Sequence, residues 1–200
     1  MGLRSIIIYT TGVPGSGKSY ARCPVFLLND FLPNRSGVHW SNFPIEEVPD
    51  SHSVPPQYEG ETFRERLARA ARKRHGGDHE DYLNRMQVIP KAVMDSWIEY
   101  DKKKVTSGPW EFFEGKDLAG AHIAIDEIHN FCGRNSSAAH RTNWQTWLGE
   151  IRHRGATVEF LTQSPQKVAK EISWEAGVRV QLVSGDDRRD PLLKIAMGDW

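Results

Sequence analysis

The sequence predicts an α/β fold: a doubly wound, mostly parallel sheet flanked by helices, with a phosphate site at the C-terminal strand ends. Three observations carry that prediction. Gly12, Gly17, Lys18 and Ser19 fill every fixed position of G-x-x-x-x-G-K-[ST], the P-loop pattern. A second apolar run, His122-Ile123-Ala124-Ile125, ends in Asp126-Glu127. Between the apolar runs lie stretches whose apolar residues recur at helical spacing.

The P-loop reading has a physical basis. Ser5 to Tyr9 reads as a buried strand entering the loop, and the chain from Tyr20 to about Leu32 as the helix leaving it. Glycines let the backbone curl so that successive N–H groups face one phosphate, and the helix N-terminus adds a positive dipole end. Gly12, Val13, Pro14, Gly15, Ser16, Gly17, Lys18, Ser19 and Tyr20 are therefore the predicted nucleotide-binding residues. Lys18 would reach the β- and γ-phosphates of ATP, and the Ser19 hydroxyl would join the Mg²⁺ shell. A chain of this length meets the pattern by chance roughly 1% of the time. The flanking strand and helix lower that figure further.

Composition narrows the partners. Basic and acidic residues balance at 26 each, so no global field argues for nucleic acid or membrane. Locally, Arg64, Arg66, Arg69, Arg72, Lys73 and Arg74 face Glu65 alone. Cys23 and Cys132 are far apart, which fits a reducing compartment without a disulfide framework. Ile6 to Ile8 is too short for a signal peptide, and no stretch approaches the ~20 apolar residues that cross a bilayer. The expectation is one soluble, cytoplasmic domain over residues 1–200, with a helical and irregular insertion at about 45–110.

Taken in order, Pro33 to Gly37 is a turn, and Val38 to Phe43 a second strand ended by Pro44. Ile45 to Gly60, rich in proline and acid, is an irregular excursion. Thr62 caps a helix with Phe63, Leu67, Ala70 and Ala71 on its inner stripe, broken at Gly76-Gly77-Asp78. Its arginines are either a solvated face or a basic docking surface for DNA, acidic lipid or a neighbouring subunit. Pro90 opens another helix with Ile89, Val93, Trp97 and Tyr100 on a core stripe, closed by Lys102 to Lys104. Trp110 to Phe113 is an aromatic cluster without an assigned place. Asn143 to Arg152 is an amphipathic helix burying Trp144, Trp147, Leu148 and Ile151, and Gly155 ends it. Thr157 to Thr162 is a strand, and Val178 to Val183 with Leu192 to Ala196 are final strands around a turn at Gly185-Asp186-Asp187.

An apolar strand ending in Asp-Glu after a complete P-loop reads as a Walker B pair. Asp126 would hold the Mg²⁺ shell, and Glu127 would orient and polarise the attacking water. Gln163, at the exit of the Thr157 to Thr162 strand, would sense the γ-phosphate between the two. Phosphoryl transfer needs positive charge beyond Lys18 and Mg²⁺, often an arginine of the next subunit. Arg152 and Arg154 are the predicted sources, with Arg179 as the fallback. The scatter of His122, His129, His140 and His153 argues against a metal centre.

With Asp126 to Phe131, Glu150 to Gly155 and Leu161 to Pro165 in view, the chain resembles the zonular occludens toxin family, the assembly proteins of filamentous phages. The similarity also takes in the P-loop and the Val38 to Phe43 strand with its Asn-x-Pro-like turn. It implies a RecA-like P-loop ATPase on the cytoplasmic face of the inner membrane of a bacterial host. It further implies a homo-oligomer that extrudes single-stranded phage DNA, working with coat or envelope assembly proteins. Such proteins continue into a membrane helix and a periplasmic tail. The 200 residues hold neither, so attachment would come through a further segment or a partner. Two other readings stay open on the residues alone: a small-molecule or nucleotide kinase, and an assembly module that binds nucleotide without hydrolysing it.

Overall fold

The computed structural model describes residues 6–12, 27, 31–34, 36–42, 62–101 and 107–182. Six parallel strands form one sheet in the order β3-β2-β4-β5-β1-β6, and among the described residues no strand runs antiparallel within it. In chain order these are β1 (Ile7–Gly12), β2 (His39–Ser41), β3 (Met86–Val88), β4 (His122–Ile125), β5 (Thr157–Thr162) and β6 (Val178–Leu182). The helices are α1 (Leu32–Asn34), α2 (Phe63–His75), α3 (His79–Asn84), α4 (Lys91–Ser96), α5 (Pro109–Phe112), α6 (Ala138–His153) and α7 (Lys170–Glu175). The doubly wound, all-parallel sheet matches the predicted fold class.

β4 and β5 are buried on both faces, and the polar residues that alternate with their apolar ones, His122, Thr157 and Glu159, are buried as well. β1 extends to Gly12 because β5 and β6 both pair with its far end, Thr11 opposite Thr162 and Gly12 opposite Leu182. It is therefore longer than the Ser5 to Tyr9 reading. β2 is shorter than read, because only His39 to Ser41 pair on both sides. β6 runs parallel to β1; the turn and strand expected after it lie outside the described residues, as do Val13–Tyr20 and the excursion at 45–60.

α2 begins where Thr62 predicts. The Thr62 hydroxyl accepts from Glu65 N at 3.2 Å, and the Glu65 carboxylate accepts from Thr62 N at 2.6 Å, a complete capping box. Gly76 and Gly77 follow at φ 73° and 90°, left-handed backbone that releases the chain into α3. The sequence reading missed α3 and β3. β3 lies inside the stretch read as an insertion, yet it joins the sheet as an edge strand.

α6 is the main covering helix of one sheet face. Ser137 caps it, accepting from His140 N at 3.2 Å, so it starts five residues before the predicted Asn143. Its Trp144, Trp147, Leu148 and Ile151 are buried as predicted. They meet Ile7, Tyr9, Ile123, Ile125, Val158 and Phe160, which alternation in the strands places on one face. The Trp110 to Phe113 cluster belongs here: α5 turns Trp110 to within 6.3 Å of Trp144, and Phe113 stacks on Trp147 at 6.0 Å. Ile89 and Trp97 join this core, but α4 ends at Ser96 and leaves Tyr100 81% exposed, so Tyr100 is not a core residue. Lys102 to Lys104 lie outside the described residues. Cys132 is a buried thiol, pushed up by burial.

The other face carries Thr10, Glu159, His122, His39 and Ser41, all buried. Phe31 covers the two histidines, its ring centroid 5.8 Å from His39 and 6.1 Å from His122. Phe31 belongs to a second cluster with Leu27, Leu32, Leu67, Ala68, Ala71, Tyr82 and Met86.

Candidate active site

The exit of β4 is held from the side by Asn42, the residue after β2. Its amide donates to Asp126 O at 2.9 Å and accepts from Asp126 N at 2.7 Å. This side-chain clamp replaces one more rung of strand pairing and frees the backbone to turn. Asp126 Oδ1 then accepts from Glu127 N at 2.8 Å. Glu127 adopts φ 52°, ψ 45°, and among the described residues no other non-glycine has positive φ. For a residue with a Cβ that conformation costs about 1–2 kcal/mol, offset here by local bonds, Glu127 O accepting from Asn130 N at 2.8 Å. Ile128, fully buried, anchors the turn by accepting from Phe131 N at 3.0 Å and Cys132 N at 2.9 Å.

The turn sends the Glu127 carboxylate toward the exit of β5. Its Oε2 lies 3.4 Å from Gln163 N and 3.1 Å from His129 Nδ1. His129 Nδ1 is also 3.0 Å from Thr162 Oγ1, which accepts from Ser164 N at 3.0 Å. A proton on Nδ1 suits a carboxylate at this distance, whereas a bare nitrogen would set lone pairs against it. His129 therefore holds Glu127 in place. Asn42 and His129 were not assigned these roles from the sequence, although the residue after a strand and the i+2 position beyond an acid were both visible there.

β5 stands between β4 and β1, so the acid pair and the end of β1 are two strand spacings apart, about 10 Å. Gly12 ends β1, and Gln163 emerges exposed from the middle strand, between the start of the P-loop and Glu127. The remaining P-loop residues, Val13 to Tyr20 with Lys18 and Ser19, lie outside the described residues. The donor set of Asp126 and Ser19 is hard oxygen, which fits Mg²⁺, and Asp126 is half-buried at the strand exit with its main chain fixed.

The structure does not bring Arg152 or Arg154 to this site within one chain. Both precede Thr157, which stands opposite His122 at the start of β4, so they lie at the opposite end of the strands from Asp126 and Glu127. Arg152 pairs with the Glu175 carboxylate, and Arg154 donates to the carbonyls of Lys116 and, at 3.1 Å, of Phe113. Their observed work is to fasten the end of α6 to its surroundings. Arg179 donates to Ser173 O at 3.0 Å on the outer strand. The histidines are likewise dispersed: His122 joins His39 and Glu159, while His140 lies 2.7 Å from Phe131 O. Among the described residues no three His, Cys, Asp or Glu side chains converge as a metal site, and no helix is long and apolar enough to cross a membrane.

The fold has known counterparts. It is similar to the N-terminal domain of zonular occludens toxin from Neisseria meningitidis, with 17% identity over 89% of this chain and 76% of that one, at a TM-score of 0.52. It is also similar to the genome packaging NTPase B204 of Sulfolobus turreted icosahedral virus 2, a structure in complex with ATP-gammaS. There the identity is 12% over 97% of this chain and 82% of that one, at a TM-score of 0.51. No curated protein matches the chain in sequence. The sequence profile described as "Zonular occludens toxin (Zot)" matches residues 82–184, more than half of the chain and the stretch that holds the acid pair, α6 and β5. The chain belongs to the zonular occludens toxin family.

Proposed function

We propose that this chain is an ATP-hydrolysing motor domain in which Glu127 orients the attacking water. The observation that carries the reading is the posture of Glu127. Its backbone is left-handed, and its carboxylate is held between His129 and Gln163 N at the exit of the strand beside β1. A general base needs to be fixed near the reacting atoms before the substrate arrives. Glu127 takes the proton of the water, Gln163 faces the γ-phosphate, and Lys18 and Ser19 hold the nucleotide phosphates and the metal. Bound Mg²⁺, held by Ser19 and Asp126, would draw charge from the phosphoryl oxygens. A kinase would instead direct an acceptor hydroxyl to this position, where an acidic residue held for a water offers it no further advantage.

Family membership supports the wider proposal. The domain would act as a homo-oligomer at the cytoplasmic face of an inner membrane, on single-stranded phage DNA or with coat and envelope assembly proteins. An arginine supplied across the subunit interface would complete the site, and Arg152, Arg154 and Arg179 remain the proposed donors in that setting.

Glu127→Gln tests the core of the proposal. It keeps the shape and loses the charge, so MgATP should bind within about threefold of the parent while turnover falls by two orders of magnitude or more. Calorimetry and a phosphate-release assay read the two quantities. Parental turnover in this variant would overturn the assignment.

A further inference from the structure

Beyond His129 lies a cleft of about 510 Å³, walled by Glu99, His129, Arg134, Ser136, Gln166 and Lys167 among others. Two loops at the C-terminal end of the sheet build it. Gly133 and Val168 form an antiparallel bridge, Arg134 N donates to Lys167 O at 2.7 Å, and Ala169 N donates to Cys132 O at 3.0 Å. The turn is tight: a Cβ on Gly133 would stand 2.9 Å from His129 O. This staple sets Arg134 directly opposite Lys167.

Like charges placed opposite each other in this way are destabilising. Both side chains are exposed, and neither makes an ion pair or side-chain hydrogen bond among the described residues. Glu99, the one acid on the walls, accepts from Ser137 N through Oε2 at 2.7 Å at the start of α6 and offsets one of the two cations. The lining keeps a net positive charge, and neither cation is ion-paired among the described residues, which suits an anion from outside. No Phe, Tyr or Trp lines the cleft, so the large platforms on which successive bases stack are missing there. The volume exceeds what one phosphate fills.

We propose that this cleft binds the phosphodiester backbone of a single nucleic-acid strand through Arg134 and Lys167, and that His129 couples its occupancy to Glu127. The second half rests on Glu127 being the water-orienting carboxylate; the first half does not. His129 is a positioning residue. It borders the cleft while its Nδ1 sits 3.1 Å from Glu127 Oε2, so a strand that shifts the ring shifts the carboxylate.

Fluorescence anisotropy with the full chain, a labelled oligothymidylate of about 20 nucleotides and an abasic strand of equal length tests the site. The double change Arg134→Ala with Lys167→Ala should weaken binding at least tenfold and reduce the salt slope by about 1.4. Exchanging the two residues, Arg134→Lys with Lys167→Arg, should restore most of the affinity. Parental affinity and slope in the alanine double variant overturn the site, as does a parent that binds no strand. The abasic strand should bind within about threefold of oligothymidylate, and a strict need for bases overturns backbone recognition. Inorganic tripolyphosphate displacing the strand at a lower phosphate concentration would overturn the strand in favour of a free polyphosphate.

For the coupling, His129→Gln should keep the parent's salt slope for strand binding, since it removes no cation that pairs with a phosphate, while the ratio of ATP turnover with strand to turnover without it falls toward one. A ratio equal to the parent's, or a parent that the strand does not stimulate, overturns the coupling. Strand binding is measured without turnover, so its outcome stands whatever the Glu127→Gln test returns.

Discussion

The two faces of the sheet solve burial in opposite ways. One is filled with rings: Trp144 lies edge-on to Trp97 at 6.1 Å, Trp147 at 5.7 Å and Phe160 at 6.2 Å. Each such pair adds about 0.5–1.5 kcal/mol to the burial itself. The other face buries a polar chain. Thr10 donates to Glu159 Oε1 at 2.7 Å, Glu159 Oε2 lies 3.4 Å from His122, and His122 Nδ1 lies 2.9 Å from the His39 ring it stacks on. Interlocked rings confer strength through many small contacts, none of them specific. The polar chain ties four strands together through groups that only these partners satisfy, so it fixes register. Thr10 is two residues before the end of β1, and His122 is four before Asp126. The ringed face holds the sheet together, and the polar face holds its site-bearing ends in step.

That contrast can be broken experimentally. Trp144→Ala empties the centre of the ringed face and should cost about 3–5 kcal/mol in chemical denaturation. A loss under 1 kcal/mol would mean that the neighbouring rings collapse into the gap and carry no fixed packing. Glu159→Gln keeps the volume of the polar face but removes the charge opposite His122, and about 1–3 kcal/mol should go. Parental stability would show that Thr10 and His122 are satisfied without that charge.

The smallest effect sharpens the comparison through pH. Burial, reinforced by His122, holds the His39 imidazole well below the usual histidine range, with Glu159 pulling the other way. The unfolded chain therefore takes up a proton near pH 6.5 that the folded chain refuses. This part of the stability is complete above pH 6.5 and is lost as pH falls, by at most about 1.4 kcal/mol per pH unit. Thermal melts between pH 7.5 and 5.5 should show the loss in the parent and a shallower one in His39→Gln. Equal slopes would place the titrating group elsewhere.

The ringed face was legible in the sequence and the polar face was not. Trp144, Trp147, Leu148 and Ile151 keep helical spacing, so their burial followed from the pattern alone. Glu159 and His122 sit inside apolar strands, and no local rule says which buried partner a charged residue will find across the sheet. The site was legible in part. The Asp126-Glu127 pair follows from its strand, but the left-handed turn at Glu127 leaves no trace in composition, because glutamate seldom adopts it. Arg152 and Arg154 carried the right charge for a phosphate site. Chain direction puts them at the start of β5, away from Glu127 of the same chain, which bears on a site within one chain and leaves supply across an interface as the proposal. β3 is three residues long, too short for alternation to register, and it forms because β2 offers it an edge.

The left-handed Glu127 also bears on how this protein can be improved. A glycine there would adopt φ 52° without the side-chain clash, and an asparagine nearly so. On the proposed role of Glu127, a library screened only for heat resistance should thus be drawn to position 127 and return folded, hardier and inert proteins. On that same reading, engineering for durability has to hold this one residue out of the search, because tolerance of heat and turnover would pull it in opposite directions.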